Sequence, residues 1–322
     1  MKKEEMNYPI QSYPPPICFD EDEIDLRELG KTIWKHRWKL LLFTTIVTFI
    51  TVIFMLAKPN IYTSSAKLIP QGKQSNIPGG LSSLASLAGI DVGGSGGGSL
   101  RPDEAFKALA NDYEFMREFL LRNKFYERIN SPDADKNYVF AFGYDGIYRL
   151  LHSKKKREKE NKEDSLFNTY KDFSKKLSIS SDKKSSLITI SFEDPDRFLA
   201  RDVVLAFLKD ASKKLKENDL INITKKIVYY KEELSKTTDA ALKKQLSNLI
   251  SALIQKEVLA KSSKYYNVKL FIPPEVPHIK DKSGPKRALI VIVAFVTSII
   301  LGIFGIFFIE FLRGESEQKL NH

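Results

Sequence analysis

The chain has 322 residues, of which 43% are hydrophobic and 28% charged, so it is neither a disordered nor a collagenous polymer. Lysine and arginine total 51 against 40 acids, and residues 40–287 hold 42 of those bases and 29 of the acids. A single cysteine, Cys18, excludes an intramolecular disulfide framework and a cysteine-built zinc site, and the histidines at 36, 152, 278 and 322 are too scattered for a metal cluster.

In chain order, residues 1–39 are expected to form a cytoplasmic tail. Leu40–Ala57 is then an uncharged 18-residue run. At 1.5 Å per residue it covers roughly 27 Å, close to the hydrocarbon thickness of a bilayer. A core helix would show a polar stripe, whereas this run shows only four threonines, whose hydroxyls can bond back to their own helix. Trp34 and Trp38 stand before it, where indoles favour the headgroup level. Ala288–Ile309 is a second uncharged run, of 22 residues, followed by the tail 310–322. Two spans put both termini on one side and residues 58–287 on the other. Lys31, Lys35, Arg37 and Lys39 favour a cytoplasmic N-terminus, hence a periplasmic central domain in a cell with two membranes.

Within that domain Ile61–Pro70 alternates loosely and reads as a strand. The stretch 71–100 is a Gly-rich loop with nine glycines. In it Leu81, Leu84, Leu87 and Ile90 suggest a short apolar helix, or a linker with accidental leucines. Asp103–Ile129 reads as one helix with Phe106, Leu109, Tyr113, Met116, Leu120 and Phe125 on its apolar side. Ser131–Lys184 is polar and irregular. Its basic run Lys154–Arg157 is interleaved with acids and reads as a solvated face rather than a polyanion site. Ser186–Phe192 is the clearest strand.

The region 196–262 is a long helical stretch, and a continuous helix of about 40 residues is expected from Asn218. Ile223, Ile227, Tyr230 and Leu234 step by four, three and four, as do Leu242, Leu246, Leu249 and Leu253. That spacing asks for a neighbouring helix, from this chain or another copy. Tyr265–Ile272 reads as the last strand, and the proline-rich approach 273–287 leads to the second span. The expected fold is an α+β membrane protein with a membrane-proximal mixed sheet and a long helical projection, flanked by two transmembrane helices.

No catalytic constellation appears: there is no G-x-S-x-G elbow and no H-E-x-x-H. Gly30-Lys31-Thr32 looks like the end of a Walker motif, yet Asp25 stands where its first glycine belongs. No cofactor or metal and no nucleic-acid partner is expected, and the protein reads as a non-enzyme. In the second span Ser298 and Gly302 are four apart, with Gly305 a turn on, a spacing that permits close helix packing in lipid.

Pro273, Pro274 and Pro277 precede the step Ser283-Gly284-Pro285-Lys286-Arg287, a stiff connection between strand and span. Together with EIDLRELGKTIWKHRWKLLL and Pro59-Asn60-Ile61-Tyr62-Thr63-Ser64, this pattern resembles the bacterial polysaccharide co-polymerases, and most closely the O-antigen chain-length determinants of Wzz type. The resemblance covers nearly the whole chain. It departs in the longer spacing from Pro277 to Pro285, in Gly284 at a serine position, and in a glycine cluster reduced to Gly302 and Gly305. The resemblance implies a ring-shaped homo-oligomer in inner-membrane lipid, both termini cytoplasmic. It would act with a membrane-embedded O-antigen polymerase on undecaprenyl diphosphate-linked polysaccharide, setting chain length in lipopolysaccharide. A co-polymerase for capsule or exopolysaccharide export, and a periplasmic sensor or transport adaptor, are the alternatives.

Overall fold

The computed structural model describes residues 26–71, 101–143, 145–151, 161–182 and 184–320. The apolar pattern 81–90, the basic run 154–157 and Cys18 lie outside them. The chain divides into two compact units, residues 1–51 with 291–322, and residues 52–290.

The first unit contains helix α1 (Leu26–Lys35) and most of α2 (Arg37–Ala57). It also contains all but the first turn of the last helix, α10 (Arg287–Leu320). Arg37–Ala57 and Arg287–Glu310 are each long and apolar enough to cross a membrane, and little of either is covered by protein. The threonine hydroxyls of α2 are satisfied within the helix: Thr44 Oγ1 donates to Leu40 O at 2.6 Å, and Thr48 Oγ1 to Thr44 O at 2.8 Å. A span surrounded by lipid needs this, because no water is available to take the bond.

The second unit is built on strands β1 (Tyr62–Pro70), β2 (Leu177–Ser181), β3 (Ile188–Asp194) and β4 (Val268–Ile272). They pair in the order β2-β3-β1-β4, antiparallel throughout rather than mixed. Alternation places Tyr62, Ala66, Leu68, Ile188, Ile190 and Phe192 in the core. Between β1 and β2 run α3 (Pro102–Asn111), α4 (Tyr113–Arg122), α5 (Phe125–Asn130), α6 (Gly146–Leu151) and α7 (Lys162–Lys176). Phe119, Phe173, Phe192 and Phe207 join these layers, with Phe173 and Phe192 rings 4.6 Å apart.

The stretch expected as one helix over 103–129 is thus three. Asp112 turns extended and caps α4 by accepting from Glu114 N, and Lys124 takes a left-handed φ of 57° before α5. Inside the stretch read as irregular lie α7 and the short strand β2.

Helix α8 (Arg197–Lys236) is 40 residues long, but it begins directly after its cap Asp196 rather than near Asn218. Its first half packs Leu199, Val203, Val204, Phe207 and Ala211 on the sheet. Its second half leaves the core and pairs with α9 (Ala240–Ser262). The expected continuous helix breaks at Thr237–Asp239, where the Asp239 carboxylate accepts from Ala241 N and Leu242 N. An aspartate competes for the backbone and starts a new helix there without glycine or proline.

Candidate functional site

The proline-rich approach lies alongside the first residues of β1. Ile61 N donates to Gly284 O and Ser283 N to Ile61 O, both at 2.9 Å, forming a β-bridge. Tyr62 OH donates to Ile279 O at 3.0 Å, Ser64 Oγ to Glu275 O at 2.8 Å, and Thr63 Oγ1 to Ser283 Oγ at 2.7 Å. Of the prolines, Pro274 is buried, Pro277 and Pro285 are half-buried and Pro273 is exposed. Arg197 reaches the Pro277 carbonyl at 3.4 Å. A Cβ at Gly284 would stand 3.8 Å from Ile61 Cδ1, an ordinary contact.

Lys286 is exposed, whereas Arg287, the first residue of α10, is fully engaged. Its guanidinium donates to Met55 O at 3.0 Å, to Lys58 O at 2.7 Å and to Asn60 Oδ1 at 2.8 Å. The last carbonyls of a helix have no partner in that helix, and a cation there also suits the helix dipole. Arg287 therefore caps the end of α2 from the start of α10. Asn60 is shared further, since its N–H donates to Val139 O at 2.7 Å. Three chain segments meet at Asn60.

Within the first unit, Ser298 is 2% exposed and Ile306, two turns on, is buried as well. Ser298 Oγ is satisfied by donating to Phe295 O at 2.7 Å. A Cβ at Gly302 would run into Leu40 Cδ1 and stand 3.4 Å from Phe43 Cδ1, so glycine sets how closely α2 and α10 approach. A Cβ at Gly305 would meet nothing within 4 Å, so Gly305 takes no part in the contact between α2 and α10 within this chain. Lys35 Nζ and Glu310 Oε1 pair at 3.3 Å.

On the hairpin, Ile223, Ile227 and Leu253 form a small buried cluster with Tyr230 and Leu249 packed against it. Leu246 and Ile250 are also buried and Leu234 is half-buried. Leu242 is 46% exposed, so the seam does not extend to it within this chain. Ile250, not anticipated, replaces Leu242 as an inward residue.

The charged groups of the domain form a structural network. Arg128 donates to Asp196 at 2.8 Å and Asp202 at 2.9 Å, and Asn137 also donates to Asp196. Lys176 pairs with buried Asp194 at 2.9 Å. Burial pushes the Asp194 carboxyl up, and Lys176 opposes this without overcoming it. Burial pushes Asp196 the same way, but bonds from Asn137, Arg128 and the Phe198 and Leu199 N–H groups outweigh it and hold the carboxyl low. Among the described residues no group of three or more His, Cys, Asp or Glu side chains is placed to hold a metal ion. Asn60 and Arg128 were not singled out from the sequence. A polar residue directly after a span, and an arginine in a segment rich in aspartates, were the available signals.

Residues 22–132 match the family model described as Wzz: chain length determinant protein. A solved structure of a full-length bacterial polysaccharide co-polymerase aligns with 90% of this chain and 99% of its own, at 12% identity and a TM-score of 0.37. No curated protein matches the chain.

Proposed function

From the Wzz-type match over residues 22–132, we propose that this chain is a polysaccharide co-polymerase that sets the length of O-antigen chains. The match is the observation that carries the reading, and it starts before the first span and ends inside the folded domain. The two apolar helices agree with an inner-membrane protein. The basic residues before α2 put both termini in the cytoplasm and residues 58–287 in the periplasm.

The protein acts as a regulator without covalent chemistry of its own. Copies assemble through the hairpin, where Ile221, Val228 and Tyr229 on α8 and Leu242, Ile254, Val258 and Leu259 on α9 are exposed. The assembly works with a membrane-embedded polymerase on undecaprenyl diphosphate-linked glycan. The excess of bases between the spans suits that anionic carrier. Arg287 joins the ends of the two apolar helices, and Gly302 lets them approach closely.

A co-polymerase of capsule or exopolysaccharide export would share this architecture. Deleting the gene and sizing the lipopolysaccharide and capsule fractions separately distinguishes the two. Loss of modal length in lipopolysaccharide alone is expected. A change confined to the capsule fraction moves the protein to the export pathway, and no change in either rejects length control.

A further inference from the structure

The segment from Tyr138 to Leu150 has an apolar surface that neither the span packing nor the hairpin uses. Phe142 is 96% exposed and holds a left-handed backbone, φ 56° and ψ 14°. Leu150, on α6, is 79% exposed. Among the described residues of the segment, three aromatic rings pack together. Phe140 is buried, its ring lies 5.0 Å from that of Tyr148, and Tyr148 also meets Tyr138. Two large apolar side chains are thus held outward on this aromatic base, one of them in a conformation that phenylalanine seldom adopts.

The base is tied to the end of the first span. Val139 O accepts from Asn60 N at 2.7 Å, and Asn60 is held by Arg287, which also caps Met55 and Lys58. The apolar run of α2 matches the hydrocarbon thickness, so Ala57 lies near its edge. Three residues reach at most about 10 Å, which puts Asn60 within or just beyond a headgroup layer roughly 5–7 Å thick. Phe142 is three residues from Val139 and can return over the same distance. Lys58 and Lys286, both exposed at the span ends, suit lipid phosphates.

We propose that Phe142 and Leu150 dip into the boundary between headgroups and acyl chains on the side where Ala57 leaves the bilayer, making this segment a lipid-contacting foot of the domain. The proposal rests on the reading that α2 and α10 cross the membrane. An aromatic ring is stabilised at that depth, whereas in water the same ring is left hydrated.

The test uses the full chain in phosphatidylethanolamine–phosphatidylglycerol vesicles, with Trp34→Phe and Trp38→Phe removing both native indoles. Phe142→Trp supplies the probe, and Phe49→Trp, at an exposed place about 12 Å along α2 from Ala57, supplies a separate control read with lipids brominated near the acyl-chain ends. With lipids brominated near the headgroup, emission from position 142 is expected to shift to the blue and be quenched. Phe142→Trp with water-like, unquenched emission beside a quenched Phe49→Trp overturns the foot and leaves the spans intact. A blue shift that appears only on adding lipid-linked glycan, or only at high protein density, also overturns it, in favour of a sugar platform or a contact between copies. An unquenched Phe49→Trp removes both the spans and the foot.

Discussion

Arg287 Nη1 donates to Asn60 Oδ1 at 2.8 Å, joining the first residue of one apolar helix to the third residue beyond the other. Hydrogen bonds from a charged donor contribute about 1.5–3 kcal/mol. Arg287→Ala is expected to lower stability in detergent by about that amount, since it also leaves two carbonyls uncapped. Arg287→Lys restores the charge but not the three-way fork, and should recover only part of the loss. A double-mutant cycle with Asn60→Ala, read by thermal unfolding, should show coupling of roughly 0.5–3 kcal/mol. Additive effects would mean that the pair does not couple the span ends.

The two glycines of the last helix should behave differently. Gly302→Leu must push Leu40 and Phe43 away, separating α2 from α10, while Gly305→Leu meets open space. Leucine favours lipid at both sites, so insertion and protein level should be unchanged. Gel profiles of the surface polysaccharide should broaden for Gly302→Leu and stay wild type for Gly305→Leu. Equal profiles would remove the span contact from length control.

Within the hairpin, Leu253 is 1% exposed and Leu242 is not covered by its own chain. Leu253→Ala should cost about 2–4 kcal/mol through the cavity it leaves. Leu242→Ser should change the stability of the protomer by less than about 0.5 kcal/mol. Light scattering in detergent then reads assembly: a smaller particle for Leu242→Ser places that face between copies, and an unchanged one places it in solvent.

Acid should act through Asp196. Its folded carboxyl lies below the ordinary value, so its stabilisation is present above about pH 3.9 and lost as pH falls through the lowered value. Asp194 has the opposite sign: its raised carboxyl contributes below the ordinary value and loses that contribution as pH rises through the folded one. Asp196→Asn keeps a capping side chain but removes the charge that Arg128 meets. Its melting temperature should fall below wild type at pH 7, with the gap narrowing toward pH 3. An equal gap at both pH values would assign the loss to capping geometry.

The elements that could be read from the sequence are those whose pattern is carried by apolar residues in long runs. Two uncharged stretches became α2 and α10. The alternation in 61–70 and 186–192 became β1 and β3, and the end of 265–272 became β4. What escaped depends on single polar groups. The breaks at Asp112 and Asp239 are side-chain caps, and propensity alone does not announce them. Strand β2 has three serines in five residues and pairs because Leu177 and Ile179 fit beside β3. At the candidate site, the proline approach was visible as a stiff segment. Its partners on β1, and the three-way role of Arg287, follow from contacts more than 200 residues apart in the chain.

The most direct measurement is the size profile of surface polysaccharide from a strain lacking this gene, complemented either with the wild-type chain or with an empty vector at equal polymerase level. The wild-type chain should restore a narrow modal distribution where the empty vector leaves a broad, short-weighted ladder. Identical profiles from the two strains would contradict the account.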